Sequence, residues 1–221
     1  MHARLFGTGL ALLLAFAPGL CPANEGHDHG HDAAGGHLPK CPVMGEEPID
    51  LSISLATADG PVYFCCSDCI QDYQADPGKF ARQVAAQRKY LANLPKVQVT
   101  CPVTGEAVDK KFFTNYRGKK VLFCCKGCIG KFEKNPGKYA AALANSYTYQ
   151  TKCPVMGGPI NPQAALKLAD GRKIYFCCVG CDKKLVKNPE KFLPKLAAQG
   201  IGVSAKDLVG AKKVEGSGHR N

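Results

Sequence analysis

Tryptophan is absent from this chain of 221 residues, and methionine occurs three times, once as the initiator. All six histidines lie outside residues 38–198. A hydrolytic zinc centre with an open position usually draws on histidine, so the body of the chain lacks its usual ligands. A Ser-His-Asp set, a recognisable carboxylate pair and a phosphate-binding glycine loop are missing too, and no enzymatic activity is expected. After the N-terminus no apolar run approaches the roughly 20 residues of a membrane span. Acidic residues are scarce, 18 against 29 basic ones, for a formal charge of +11. In a cytosolic protein that balance would point to nucleic acid.

What the chain has in excess is cysteine, 13 in all, twelve of them in one signature written three times. The groups are Cys41 with Cys65, Cys66 and Cys69; Cys101 with Cys124, Cys125 and Cys128; Cys153 with Cys177, Cys178 and Cys181. A lone thiol, then 22 or 23 residues, then C-C-x-x-C is how two chain segments converge on one metal ion. The copies also share Cys-Pro-Val-x-Gly at the lone cysteine and an aliphatic or aromatic pair before the double cysteine: Tyr63-Phe64, Leu122-Phe123 and Tyr175-Phe176. Eight residues after each last cysteine stands Pro77, Pro136 or Pro189, and three further on Phe80, Tyr139 or Phe192. A repeat of this length marks a duplicated structural unit. Units of about 50 residues bury too little apolar surface to be secure alone, so three independent sites that double as staples are expected.

The first residues read as an export signal over 1–23. Arg4 supplies the positive end, Leu5 to Ala17 the apolar stretch, and Cys21-Pro22-Ala23 a cleavage region. The expected address is periplasmic or secreted, which removes most of the case for nucleic acid. A lipid-bearing Cys21 is the second reading, though Leu20 is bulky where such signals carry a small residue. Residues 24–37 are polar and glycine-rich, with His27, His29, His31 and His37 between Asp28 and Asp32. A flexible, disordered segment is expected there, and its imidazoles suit loose capture of Cu(II), Zn or Ni, or are incidental to a linker. A flexible tail is expected over 199–221.

Within a unit, Leu51, Ile53 and Leu55 alternate with Ser52 and Ser54, as on a half-buried strand. Asp59-Gly60 then turns the chain into Val62-Tyr63-Phe64; repeat three matches with Asp170-Gly171, and repeat two carries the weaker signal Arg117-Gly118. Cys65 and Cys69 are spaced to share one helical face, with Cys66 expected to matter less. Asp76, Asn135 and Asn188 precede prolines as N-caps of a second helix.

If Cys-Pro-Val-x-Gly is a tight knuckle, its fourth position is Met44, Thr104 or Met156. A thioether suits Cu(I) far better than Zn, so Met44 and Met156 are candidate ligands, against a reading as core filler. Lys126, Lys131, Lys183 and Lys184 stand beside the clusters, where they favour thiolate or simply form a solvated face.

Cys-Pro-Val-Met-Gly, then Tyr-Phe-Cys-Cys-x-x-Cys, then Asn-Pro-x-Lys-Phe resembles the YHS domain, within the wider TRASH group of treble-clef-like modules. The resemblance covers 38–94, 98–146 and 150–198. It implies an α+β fold of three tandem metal-knuckle modules, each a β-hairpin with helices, and heavy-metal binding in transport, resistance or sensing. Carried over, the ligands are Cys41, Cys65 and Cys69; Cys101, Cys124 and Cys128; Cys153, Cys177 and Cys181. Cys66, Cys125 and Cys178 exceed the simplest pattern and leave the ligand count open. The expected cargo is Zn or Cu(I), one ion per repeat, with a metal transporter or metalloenzyme as a compatible partner. The competing account of the same thiols is a disulfide-stapled or thiol-redox protein, since Cys66-Ser67-Asp68-Cys69 has the spacing of a redox pair.

Overall fold

A computed structural model describes residues 38–214. The export signal, Cys21, and His27, His29, His31 and His37 lie outside the described residues.

The described chain is mixed α+β, and each repeat lays down its elements in the same order. Repeat one gives β1 (Asp50–Leu55), β2 (Val62–Phe64), α1 (Asp68–Ala75), and a 3-10 turn at Pro77–Phe80 that runs into α2 (Ala81–Leu91). After β3 (Val97–Gln98), repeat two gives β4 (Asp109–Tyr116), β5 (Lys119–Phe123), α3 (Lys126–Lys134), a 3-10 turn at Pro136–Tyr139 and α4 (Ala140–Ala144). After β6 (Tyr147–Thr148), repeat three gives β7 (Asn161–Lys167), β8 (Lys173–Phe176), α5 (Cys181–Lys187) and α6 (Pro189–Ala197). A 3-10 turn at Lys206–Leu208 and β9 (Lys212–Val214) close the described chain. No helix among the described residues is long and apolar enough to cross a membrane.

The three hairpins share an irregularity that simple alternation did not anticipate. Asp50 lies opposite Phe64 but Ser54 opposite Tyr63, so three residues bulge out between two paired positions. The same jump separates Asp109 from Phe113 and Asn161 from Ala165. An Asx turn opens each bulge: the side-chain oxygens of Asp50, Asp109 and Asn161 accept from the backbone N–H groups of Ser52, Lys111 and Gln163 at 2.8, 2.9 and 3.1 Å. The bulge breaks the period of two, which is why Leu51 is buried while Ile53 and Leu55 are only half-buried. The hairpin with the weakest turn signal is the tightest. Arg117 and Gly118 both take positive φ, 50° and 74°, between the paired Tyr116 and Lys119, a two-residue turn of the primed type.

The expected caps hold in two repeats of three. Asp76 accepts from the Lys79 N–H and Asn135 from the Lys138 N–H, each ahead of its proline. Asn188 makes no such bond, and α6 starts on Pro189 without it.

The repeats do not each have a core of their own. Repeats one and three share a single apolar core that runs from Phe64, Tyr73 and Val84 to Phe176, Leu185 and Leu196 and takes in Cys41, Cys69, Cys153 and Cys181. Repeat two has its own core of six buried residues, Cys101, Val108, Val121, Phe123, Cys128 and Phe132. The strands on either side of repeat two, β3 and β6, pair antiparallel, so this repeat loops out from the shared body and returns beside its point of departure.

The stretch expected as a flexible tail is folded as far as Val214. Ile201 and Leu208 are buried in the shared core, Leu51 in the first bulge donates to the Gly200 carbonyl at 2.8 Å, and β9 adds an edge to β7. Arg172 fastens this strap. Its guanidinium donates to the Gly202 carbonyl and the Ser52 hydroxyl, and it pairs with Asp170 and Asp207 and lies 3.7 Å from Asp50. A few buried anchors and the free backbone groups of the bulge hold this stretch in place.

Candidate metal centres

Each centre begins at a knuckle whose geometry follows from Cys-Pro-Val-x-Gly. The Gly45 N–H donates to the Cys41 carbonyl at 2.8 Å, and the Cys41 N–H to the Glu47 carbonyl at 2.7 Å. Cys101 with Gly105 and Cys153 with Gly157 repeat the closure. The closing glycine has a φ of 72°, 78° or 75°, a left-handed conformation that costs an L-residue about 1–2 kcal/mol. This turn aims backbone amides at the first sulfur. Burial alone would push the Cys41 thiol up, but N–H groups of Met44, Cys65 and Val43 outweigh it, and the thiol lies below its ordinary value. Cys101 and Cys153 are lowered against burial in the same way.

The other sulfurs come from the end of the return strand and the helix after it. Cys69 and Cys128 lie within the first turns of α1 and α3, and Cys181 starts α5. Cys65, Cys124 and Cys177 precede those helices rather than sharing them, a correction to the expected single helical face. They meet the helix cysteines nonetheless, at Sγ–Sγ distances of 3.6, 3.6 and 4.0 Å. Cys41, Cys65 and Cys69 lie with their sulfurs within 4.8 Å of one another, and so do Cys101, Cys124 and Cys128, and Cys153, Cys177 and Cys181. A tetrahedral ion with metal–sulfur bonds of about 2.3 Å holds its sulfurs about 3.8 Å apart, so the spacing fits a bound ion. Burial pushes Cys65 up to about 11 and raises Cys69, Cys124, Cys128, Cys177 and Cys181 as well. A cluster of thiols that resists ionisation without a cation, around one sulfur whose ionisation the backbone amides ease, favours uptake of a positive ion with release of protons.

All twelve repeat cysteines are free thiols. Cys66, Cys125 and Cys178 stand outside the mutual triads but close to the last cysteine of each, at 3.4, 3.6 and 3.5 Å. Amides at the helix start, chiefly those of Cys69 and Cys128, lower the Cys66 and Cys125 thiols.

The fourth knuckle position faces the cluster in repeat two, where the Thr104 hydroxyl sits 3.3 Å from the Cys124 sulfur. Met44 and Met156 occupy that position in the other repeats and are 55% and 62% exposed, so neither fills a core. Lys126, Lys131, Lys183 and Lys184 are all exposed.

Three glutamines support the centres and escaped the sequence reading. Gln98 accepts from the Leu122 N–H and donates to its carbonyl, both at 2.8 Å, which fixes the return strand two residues before Cys124. Gln150 does the same for Tyr175, and Gln87, on α2, for Tyr63. Gln98 and Gln150 each stand three residues before the lone cysteine, a signal present in the sequence; repeat one has Leu38 there, and α2 supplies the amide instead.

Residues 99–143, within repeat two, match the YHS domain family. No curated protein and no solved structure matches the chain. One YHS domain and three cysteine triads together give the chain three clusters that could hold metal ions.

Proposed function

We propose that the protein is an exported heavy-metal-binding protein of three tandem YHS-type, treble-clef-like modules, which buffers, sequesters or delivers Zn or Cu(I) without catalysis. The observation that carries this reading is the convergence of three sulfurs within 4.8 Å in every repeat. Soft thiolates select Zn and Cu(I) over hard cations, and two of the three sulfurs in each triad are buried, which suits retention more than turnover. The periplasm or the exterior is the proposed address, with a transporter or metalloenzyme as a fitting recipient. Elemental analysis of anaerobically purified protein, with a thiol count before and after denaturation, tests it. Metal in proportion to shielded thiols supports the reading; metal-free protein with paired disulfides supports the redox alternative.

The fourth knuckle position divides the repeats. Thioethers at Met44 and Met156 favour Cu(I) in repeats one and three, and the hydroxyl of Thr104 leaves repeat two closer to Zn. Thr104→Met should tighten Cu(I) binding by repeat two in the full chain; unchanged affinity would assign metal preference to something else.

A further inference from the structure

We infer that each repeat carries a second, outer site for a soft monovalent ion, formed by Cys66 with Cys69, Cys125 with Cys128, and Cys178 with Cys181. This rests on the trithiolate reading of the inner site and extends it. A fourth sulfur that completed a tetrahedron around the inner ion would lie close to all three others. Instead it is not grouped with the lone cysteine; it approaches the last cysteine at 3.4–3.6 Å in all three repeats, and in repeat three it also lies 3.7 Å from Cys177. That cysteine is thereby placed between two groups of sulfur: Cys69 also has Cys65 at 3.6 Å, Cys128 has Cys124 at 3.6 Å, and Cys181 has Cys177 at 4.0 Å.

A thiolate has several lone pairs and can bridge two ions. Cu(I) is satisfied by two or three soft donors, so a pair of thiolates suffices for it. Zn asks for four ligands, and the outer site offers two, or three in repeat three where Cys177 also lies 3.7 Å from Cys178. The outer site is therefore selective for charge and softness by its poverty of donors.

The burial gradient gives it a role. Cys69, Cys128 and Cys181 are buried; Cys66 and Cys125 are half-buried and Cys178 is exposed. In repeat one the outer sulfur opens on a cleft of about 1050 Å³ lined also by Cys65, Ile70 and Tyr147. An arriving Cu(I) binds the outer pair with loss of two thiol protons to solvent. It then passes inward as the Cys65 thiol gives its proton to the departing Cys66 thiolate and takes its place on the ion, Cys69 staying bound. The ion remains Cu(I), and no electron moves.

Anaerobic titration of the reduced full chain with Cu(I) against a chromophoric Cu(I) chelator tests this. The wild type should take up two Cu(I) per repeat, whereas Zn should stop at one. Cys66→Ser combined with Cys125→Ser and Cys178→Ser should halve the Cu(I) capacity and leave Zn capacity unchanged. X-ray absorption at saturation should show a copper–copper vector that this variant lacks. Wild-type saturation at one Cu(I) per repeat, or a variant of undiminished capacity, overturns the outer site and leaves the trithiolate site standing. Absence of both Cu(I) and Zn uptake would overturn both.

Discussion

Gln150 holds the backbone of Tyr175 from both sides, accepting from its N–H at 2.8 Å and donating to its carbonyl at 2.6 Å. The side chain is fully buried and acts as one residue of a missing strand. Gln150→Leu keeps the bulk and orphans two buried backbone groups, each worth about 1–3 kcal/mol, so a loss of about 2–4 kcal/mol is expected in urea unfolding. Repeat three should also bind metal more weakly, because Cys177 follows two residues later. A loss below about 0.5 kcal/mol would show that the clamp is dispensable.

Chelation should act unequally on the repeats. The core of repeat two has six buried residues, and two of them are the cysteines Cys101 and Cys128. Repeats one and three share a much larger core. On metal removal under reducing conditions, hydrogen exchange should rise first across β4, β5 and α3, with the shared body retaining protection. Equal loss in all three repeats would contradict that order.

The legibility of the chain followed the range of its interactions. Hairpins, proline-led helices and sulfur positions were readable, because each depends on residues close in sequence or repeated three times. The sharing of one core by repeats one and three was not, since a repeat pattern says nothing of which copies pack together. The glutamine clamps were visible at 98 and 150 but masked by Leu38 in the first copy, where α2 supplies Gln87 from the C-terminal side of the strand instead. The stretch 199–214 carries no ligand pattern, and the close approach of Gly200 to Leu38 and Leu51 and of Gly202 to Asp50 depends on residues about 150 positions away.

Those glycines give a direct test of the strap. A Cβ on Gly200 would lie 2.7 Å from Leu38 Cδ1 and 2.9 Å from Leu51 Cδ1, at a φ of +74°. Gly200→Ala should cost about 2–4 kcal/mol from strain and overpacking combined, and expose 201–214 to proteolysis. A resistant variant of unchanged stability would mean that the strap contributes little.

Thiol reactivity should separate the cysteines by pH in the reduced, metal-free protein. Amides at the helix start hold Cys66 and Cys125 below the ordinary 9.0, whereas burial pushes Cys65 up to about 11. A lowered value means thiolate at lower pH, so iodoacetamide should label Cys66 and Cys125 first as pH rises, and Cys65 only in strong alkali. Cys41 is also lowered but buried, and should lag. Labelling of Cys65 ahead of Cys66 would reverse the electrostatic picture.

X-ray absorption at the edge of the bound metal tests the trithiolate centres most directly. Zn-loaded full-length protein should show a shell dominated by at least three sulfurs at about 2.3 Å. Cys41→Ser, Cys101→Ser and Cys153→Ser together should strip that shell of its sulfur count or of its metal. A first shell of nitrogen and oxygen, unchanged by those substitutions, would contradict the account.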